Sequence, residues 1–492
     1  NRTLVMKRIM IIIVSFVATL AAETVQNANW RYPYYLMARD ALAAEKSSVS
    51  DMFHDGISGV SLFDKSLWPD SVKMSHNHWY FEPQFSSGGN YNDPVLGNEA
   101  PLEIGFLNSI VYHNVLVRQT LHVDKTYDYD QFYPAHPDRI VRGRIEEAFI
   151  QANWKHGMFR LGRTERNWGP FADRSLFLSS NPYTYDAFEW QLYSRIFEFR
   201  HLFTAFPLKH SEWDADGEIN RYFTAHVLNI MPAKWLTLGV FESLLFTRHG
   251  GFPDFSYVNP FSIYSVINTN MEGDGNLMIG VLWDIKPFTE NIAFKGQVVW
   301  DDFQVDNEVV TDKEPAHWGM DMGLYWRNPV PLQLENSVKL EYNYRSKWLY
   351  TVPDANTRNG ERYTYLGKSL GFAENDGFNV NAGYTVIGKN YWAASLHGGY
   401  GIKGENSPLS KWNDLQHTPG LPYEDTVTTE IRTATIGLTV NAYFRDYVNI
   451  AFTFDNVFTK SEINGVKDSD YEPRINATVT LHYSDLIIKL PD

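Results

Sequence analysis

The residues with the richest side-chain chemistry lie in one stretch, RTERNWGPFADRSLFLSSNPYTYD, which spans residues 163–186. Guanidinium groups pair with carboxylates or sugar hydroxyls, and an indole ring offers a flat apolar face with one N–H donor. A Gly-Pro pair forces a turn, so the stretch predicts a stiff loop that holds cations at defined positions. Its candidate ligand-binding or plug residues are Arg163, Arg166, Trp168, Gly169, Pro170, Arg174 and Asn181.

Two further pairs are candidates for the same site. Tyr257 and Asn259 lie in an aromatic-rich connection, and Asp301 and Asp302 end a predicted strand. Adjacent strand residues point to opposite faces, so the aspartates do not form the facing carboxylates that a retaining glycosidase needs. We expect them to contact arginines of the 163–186 stretch. No catalytic residue is assigned, and the protein is not expected to be an enzyme.

Metal binding has little support in the sequence. His76 and His78 share one face of an extended segment, but no third ligand lies nearby in the chain. Glu272 and Asp274 lie in NMEGDGN, where a glycine-rich turn explains the composition better than a calcium site. The sequence therefore predicts no metal and no cofactor.

The start of the chain predicts export. MKR at residues 6–8 precedes an apolar run over residues 9–22, which is shorter than the roughly 20 residues of a membrane-spanning helix. A basic segment, an apolar core and two alanines are the pattern of a secretory signal peptide, which we assign to residues 1–22. The chain contains no cysteine. Its net charge of −15 argues against nucleic-acid binding.

Alternating apolar and polar residues predict strands in most of the remaining chain. TATIGLTVNAY (residues 433–443), INATVTLHY (475–483) and NIAFTFDNVF (449–458) each place apolar side chains on one face and polar ones on the other. Aromatic residues make up 15% of the chain, and many stand at predicted strand ends. This pattern is typical of strands that face lipid on one side and a wet lumen on the other.

Loop lengths favour a barrel over a soluble sandwich. Short predicted turns alternate with long connections, including residues 164–184, 247–275, 346–376 and 459–472. Strands threaded through a bilayer show this asymmetry, with short periplasmic turns and long external loops. We therefore predict an all-β fold, a large antiparallel transmembrane β-barrel over residues 77–486. It has about 18 strands, with 16 as the alternative, and its edges are closed because unpaired backbone is costly in lipid.

The segment between the signal peptide and the barrel has a different composition. Residues 23–76 contain helix formers around residues 36–46, followed by a loop-like stretch. This composition predicts a small periplasmic helical and loop segment that acts as a cap or plug.

Four ordered blocks resemble one protein family. GRTERNWGPFADRSLFLSSN resembles the Gly-Arg, Trp-Gly-Pro and Leu-x-Leu-Ser-x-Asn signature of the capsule-assembly Wzi family of outer-membrane proteins. FPDFSYVNPFSIYSVINTNMEGDGNLMIGVLWDIKP resembles its Asn-Pro-Phe loop, FKGQVVWDDFQVDN its Asp-Asp-Phe-Gln segment, and TYLGKSLGF with NDGFNV its Leu-Gly repeat. Two features depart from the family pattern: Phe171 follows the Trp-Gly-Pro turn where glycine is common, and the chain ends in IIKLPD without a terminal aromatic.

The resemblance implies a plugged barrel in the bacterial outer membrane that binds and anchors capsular polysaccharide as a lectin. Residues 163–186 would then fold inward, and external aromatic rings would contact sugar. The alternative is a diffusion channel or polysaccharide transport pore that such loops only narrow. The expected partners are capsular or exopolysaccharide and outer-membrane lipid, and we expect a monomer. The expected sugar-contacting aromatics include Tyr183, Tyr185, Trp348, Tyr350, Tyr363 and Tyr365.

Overall fold

The computed structural model describes most of the chain after residue 77. The described residues are 78–112, 115–134, 142–154, 156–171, 174–194, 196–206, 219–233, 235–249, 252–270, 275–289, 291–302, 317–352, 359–388, 392–410, 429–444, 448–482 and 486–489. The predicted signal peptide and the predicted periplasmic cap lie outside these residues. Within the part described, no helix is long and apolar enough to cross a membrane.

Strands account for most of the described residues. They are β1 (His78–Tyr91), β2 (Leu102–Tyr112), β3 (Val115–Asp124), β4 (Gly143–Trp154), β5 (Gly157–Thr164), β6 (Tyr185–Tyr193), β7 (Phe197–Phe206), β8 (Ile219–Ala233), β9 (Leu236–His249), β10 (Asn276–Ile285), β11 (Ile292–Asp302), β12 (His317–Arg327), β13 (Glu335–Arg345), β14 (Thr364–Tyr365), β15 (Lys368–Ser369), β16 (Gly377–Gly388), β17 (Trp392–Lys403), β18 (Thr429–Phe444), β19 (Val448–Ile463), β20 (Val466–His482) and β21 (Leu486–Lys489). Two short helices are α1 (Phe255–Val258) and α2 (Tyr264–Asn270).

The sheet closes on itself as a barrel. Each neighbouring pair is antiparallel, and β1 pairs both with β2 and with the end of the chain. β20 and β21 pair with successive parts of β1, so together they form one interrupted spanning strand. The barrel therefore has 18 spanning strands. This confirms the predicted fold class and its larger strand count, and pairing continues to Lys489.

The two faces of the wall differ as the alternation predicts. On β6, Glu189 and Gln191 are buried in the interior, whereas Phe188, on the opposite face, is exposed on the outside. Many outward side chains form an apolar wall that suits lipid. Its exposed members include Leu161, Leu238, Val240, Val281, Leu324, Leu340, Leu396, Ile436, Leu438 and Val479.

One predicted long loop is wrong. Residues 459–472 were expected to be an external connection, but β19 and β20 continue through them to a turn at Asn464 and Gly465. Both turn residues have positive φ, 50° and 79°, which an Asn-Gly pair adopts easily in a two-residue hairpin. The sequence Asn-Gly between alternating strands was the available signal.

Most of the buried apolar side chains lie inside the barrel. One large cluster joins inward residues of the wall, such as Phe223 and Phe241, to residues of two long connections. We call the described residues between β5 and β6, 165–171 and 174–184, the first luminal loop. We call the described residues between β13 and β16, 346–352 and 359–376, the second luminal loop. The interior therefore contains a packed core in the region where these two loops meet.

Candidate functional site

The two luminal loops are hydrogen-bonded to each other through their backbones. Ser179 N–H donates to the carbonyl of Leu370 at 2.8 Å, and the Asn181 side-chain amide donates to the carbonyl of Ser369 at 2.8 Å. Within the first loop, Trp168 N–H donates to the carbonyl of Leu178 at 2.8 Å. Buried backbone groups need partners, so these contacts allow non-strand segments to occupy the interior.

Tyrosine hydroxyls complete this network. Tyr350 donates to the carbonyl of Leu176 at 2.7 Å, and Tyr363 donates to the carbonyl of Phe177 at 3.0 Å. Burial raises the pKa of both phenols. They therefore stay protonated, and remain hydrogen-bond donors, at any pH near neutrality.

An apolar cluster fills the space between the loops and the wall. Phe177 stacks on Phe241 of β9 with ring centroids 4.0 Å apart, and Trp168 is only 2% exposed. Leu176, Leu349 and Leu370 belong to the same cluster. An aromatic core of this kind excludes water from the part of the lumen that it occupies.

Arg166 binds the first luminal loop to the wall. Its guanidinium contacts Glu189 of β6 at 3.2 Å and donates to the carbonyls of Thr164 and Tyr185 at 3.1 and 3.0 Å. It also lies over the ring of Tyr185, 4.7 Å from the centroid. Few side chains other than arginine could serve several carbonyls and a carboxylate from one position.

Arg174 forms a second ionic anchor, with a different partner from the one expected. Its guanidinium contacts both carboxylate oxygens of Asp321 at 2.9 and 3.2 Å, and Glu341 at 3.1 Å. The expected partners were Asp301 and Asp302. Asp301 instead accepts a hydrogen bond from the backbone N–H of Tyr350 at 2.5 Å.

The backbone around Asp302 explains part of this difference. Asp302 pairs with His317 across an irregularity between Trp300 and Asp302 in the β11–β12 register, so the simple alternation used to place the two aspartates is interrupted there. Asp321 and Glu341 were not chosen as candidates. The available signal was a carboxylate on the polar face of each strand, Asp321 between two methionines in GMDMG and Glu341 in KLEYNY.

The second luminal loop has its own anchor on the wall. Arg221 of β8 donates to the backbone carbonyls of Gly360, Arg362 and Thr364, the last two at 3.0 Å each. Arg221 is 2% exposed. The sequence did not single out this arginine, because its partners are main-chain carbonyls that lie more than a hundred residues away in the chain.

The Trp-Gly-Pro turn requires the glycine. A Cβ atom at Gly169 would lie 2.7 Å from both Cβ and Oγ of Ser175, whose hydroxyl accepts hydrogen bonds from the N–H groups of Phe177 and Leu178. The Phe171 ring, the departure from the family pattern, is buried and stacks beneath the Arg174 guanidinium at 4.3 Å.

Replacing Gly169 by alanine is expected to destabilise the folded barrel by about 1–3 kcal/mol, because Ser175 is held in place and the new methyl group overpacks the turn. Thermal unfolding in detergent, followed by the loss of β-sheet circular dichroism, measures this. Gly89→Ala is the matched control, since a Cβ atom there meets no atom within 4 Å. Equal melting curves for the two variants would contradict the close approach at Gly169.

Three candidate residues lie away from the luminal cluster. Arg163 is on β5 and pairs with the exposed Asp186 of β6 at 2.8 Å, on the outer face at the end of the strands. Tyr257 is in α1 and Asn259 follows it, in a segment that packs on the outside of the wall. The structure therefore does not bring these three residues together with Arg166 and Trp168.

The expected aromatic sugar platform is also different in the structure. The side chains of Tyr183, Tyr185, Trp348, Tyr350, Tyr363 and Tyr365 are all buried. A ring must present a free face to stack on a sugar. These residues therefore belong to the core of the barrel, because five of them lie on connections that fold inward and Tyr185 faces inward at the start of β6.

A third connection, which follows β3, packs on the first luminal loop through its residues 125–134. Tyr127, Tyr133 and Tyr183 form an aromatic group with centroids 4.6–6.2 Å apart, and the Tyr183 hydroxyl donates to Asp130. Lys368 contacts the same carboxylate at 2.5 Å. Burial favours a higher pKa for Asp130, but Lys368, Tyr183 and the Phe132 N–H outweigh it and lower the pKa.

This contact predicts an acid sensitivity. Because the folded pKa of Asp130 lies below the unfolded value of about 3.9, the contact stabilises the fold above that pH, and its contribution is lost as the pH falls through the folded pKa. We expect the melting temperature of the native protein to fall more steeply below about pH 4 than that of Asp130→Asn. Melting temperatures of the two proteins that fall equally from neutral to acidic pH would contradict this role of Asp130.

One group of described residues has the composition of a metal site. Ligand atoms of Glu103, His122 and Asp124, on β2 and β3, lie within 4.8 Å of one another. His122 Nε2 pairs with Glu103, and the Tyr127 hydroxyl contacts His122 Nδ1 at 3.1 Å. The ion pair by itself accounts for this arrangement. Glu103 and His122 of this group line a pocket that is open to solvent.

Comparison with known structures identifies the kind of barrel. Wzi of Escherichia coli, described as a carbohydrate-binding β-barrel involved in group 1 capsule assembly, aligns over 94% of this chain and 99% of its own. The TM-score is 0.57 at 14% identity. The fold is that of an outer-membrane β-barrel. Together with the apolar outer wall, it places the protein in the bacterial outer membrane.

Other matches are more distant. OccD3 (OpdP) of Pseudomonas aeruginosa has a TM-score of 0.44 at 10% identity, covering 83% of this chain and 92% of that one. OprD of the same organism has a TM-score of 0.44 at 8% identity, covering 85% of this chain and 94% of its own. No family model and no curated protein matches the sequence.

Proposed function

We propose that this protein is a non-enzymatic, non-conducting outer-membrane barrel that anchors capsular or other surface polysaccharide at its external face. The observation that carries the proposal is the filled lumen. Two loops meet there, hydrogen-bond to each other and enclose an aromatic core. A transport path needs a continuous wet lumen, whereas a surface anchor does not.

Two features support polysaccharide as the ligand. The similar fold of Wzi, a carbohydrate-binding barrel, is one. The other is an exposed external group formed by Glu99, Lys125 and Tyr129. The Lys125 ammonium and the Tyr129 hydroxyl both lower the pKa of Glu99, and the Tyr129 ring is 46% exposed. A ring face, an ammonium and a carboxylate side by side suit sugar CH groups, acidic groups and hydroxyls.

Binding of purified capsular polysaccharide to the detergent-solubilised protein tests the proposal. Wild type should bind, and Tyr129→Ala should bind several-fold more weakly. Tyr112→Ala is the matched control, because Tyr112 is equally exposed but stands at the opposite, short-turn end of β2. An array of capsular and exopolysaccharides on which the wild type binds none would refute the anchoring function.

Single-channel recording separates the proposal from the alternative of a diffusion channel or transport pore. The wild-type protein in a planar bilayer is expected to show no sustained current. A steady nanosiemens-scale conductance would favour the pore and would mean that the luminal loops only narrow the path.

A further inference from the structure

The connection between β9 and β10 packs on the outside of the barrel. Ser243 of β9 faces inward, because it contacts Tyr363 of the second luminal loop at 3.0 Å. The alternate residues Glu242, Leu244 and Phe246 therefore point outward. Residues 252–270, which we call the outer segment, cover these outward side chains: Tyr257 and Tyr264 form a buried cluster with Leu244 and Phe246.

The outer segment reaches far down the wall. Phe261 stacks on Phe199 of β7 with centroids 5.9 Å apart and lies against Trp190 of β6 at 5.9 Å. Phe199 is the third residue of β7, next to the short-turn end of the barrel. The segment leaves the wall at the opposite end, after His249. It therefore descends through most of the height of a wall whose exposed residues are apolar.

The free face of the outer segment is strongly apolar. Phe252, Phe255 and Phe261 are 82%, 76% and 73% exposed, more than lipid-facing strand residues such as Val240 at 54%. Ile263 and Val266 are exposed as well. Since Phe261 packs on outward strand residues, this face is continuous with the apolar wall.

Several backbone groups of the outer segment have the partners that entry into lipid requires. Polar backbone groups without partners are costly there. Helical turns satisfy the N–H groups of Val258, Asn259 and Ile267. Asp254 and Asn259 side chains accept from the N–H groups of Ser256 and Phe261. Residue 260 is proline and has no N–H.

The wall also needs the outer segment. Glu242 faces outward and accepts from the N–H groups of Tyr264 and Ser265 at 2.6 and 3.2 Å, and it contacts His226 at 3.0 Å. Thr224 contacts the Tyr264 hydroxyl at 2.8 Å. A carboxylate on the lipid-facing wall is costly unless it is paired and covered.

From these contacts we propose that the outer segment is embedded in the outer membrane, where its phenylalanine face contacts lipid acyl chains while its opposite face covers the polar group around Glu242. The segment is thus a membrane-inserted loop beside the barrel rather than an exposed external loop. The partner of the exposed phenylalanine face is lipid, because this face is continuous with the lipid-facing wall.

Nitroxide labels test the location, and the absence of cysteine makes each label unique. Phe261→Cys and Val266→Cys would be labelled in the full-length protein, refolded into phosphatidylcholine vesicles and probed by electron paramagnetic resonance with oxygen and a water-soluble nickel chelate. Leu238→Cys on the apolar wall is the lipid control, and Val466→Cys at the tip of the β19–β20 hairpin is the aqueous control. Heat-modifiable migration on gels identifies folded variants.

The expected oxygen-to-nickel accessibility ratio at both positions matches Leu238→Cys and is several-fold higher than that of Val466→Cys. A ratio like that of Val466→Cys would overturn the proposal. So would labels shielded from both reagents with spin–spin broadening between molecules, because a second copy would then cover the face. Phe255→Cys replaces either variant that fails to fold.

Discussion

Replacing Arg166 and Trp168 together by alanine is expected to convert the closed barrel into a conducting one. Trp168 is 2% exposed at the centre of the first luminal loop, and truncating a buried tryptophan typically costs about 3–5 kcal/mol. Removal of Arg166 releases the loop from Glu189 and from two backbone carbonyls. The wall keeps its own strand pairing, so the loop should loosen before the barrel unfolds.

The measurement is single-channel current in planar bilayers, with wild type as the closed reference. Arg163→Ala is the control within the same stretch, because Arg163 pairs with the exposed Asp186 on the outer face. It should remain closed. If the double variant folds and remains closed as well, the first luminal loop does not block the lumen, and the second loop or the predicted N-terminal cap would be the barrier.

Replacing Arg174 by glutamine is expected to produce the largest loss of stability of any single substitution proposed for the lumen. The change leaves Asp321 and Glu341, which are 0% and 4% exposed, without their shared cation. Removing one partner of a buried ion pair typically costs about 3–5 kcal/mol. Lys339, 3.5 Å from Glu341, compensates for part of this, so Asp321 carries most of the effect.

Thermal unfolding in detergent measures this loss, and Arg163→Gln is the matched control. An exposed ion pair contributes about 0–1 kcal/mol, so the control should melt close to wild type. Equal melting temperatures for Arg174→Gln and Arg163→Gln would show that the luminal ion pairs contribute little. Asp321→Asn combined with Arg174→Gln should recover part of the loss, because it removes the carboxylate charge that Arg174 neutralises in the wild type.

The barrel could be predicted from the sequence because its signals are local. Alternation in segments such as residues 433–443 indicates which side chains face lipid. This signal is strong because charged side chains on the lipid-facing side are destabilising. The turn at Asn464 and Gly465 was missed even though its dipeptide is a strong hairpin signal. The stretch around this turn is charged, and strands can extend beyond the membrane with polar side chains on both faces.

The filling of the lumen could be predicted only in part. The composition of residues 163–186 indicated a stiff loop with paired arginines, and Arg166 and Arg174 are buried in ion pairs. The partners of these arginines could not be predicted from the sequence, since Arg174 and Asp321 are 147 residues apart in the chain. The sequence likewise does not show which residues are close in space, and for this reason Tyr257 and Asn259 were predicted to lie with the luminal residues.

By itself, the sequence determined that this chain forms a closed lipid-facing sheet with long loops at one end. The reason is that successive side chains of a strand alternate between the lipid-facing and the luminal side, so the sequence pattern reports the environment of each side chain. Only the tertiary structure decided where each long loop goes. Residues 165–171, 174–184, 346–352 and 359–376 fold into the lumen, while residues 252–270 fold over the outer wall. Loops rich in aromatics can bury them on either side of the wall. The choice depends on contacts such as Arg174 with Asp321 and Glu242 with α2, which only the closed barrel brings together.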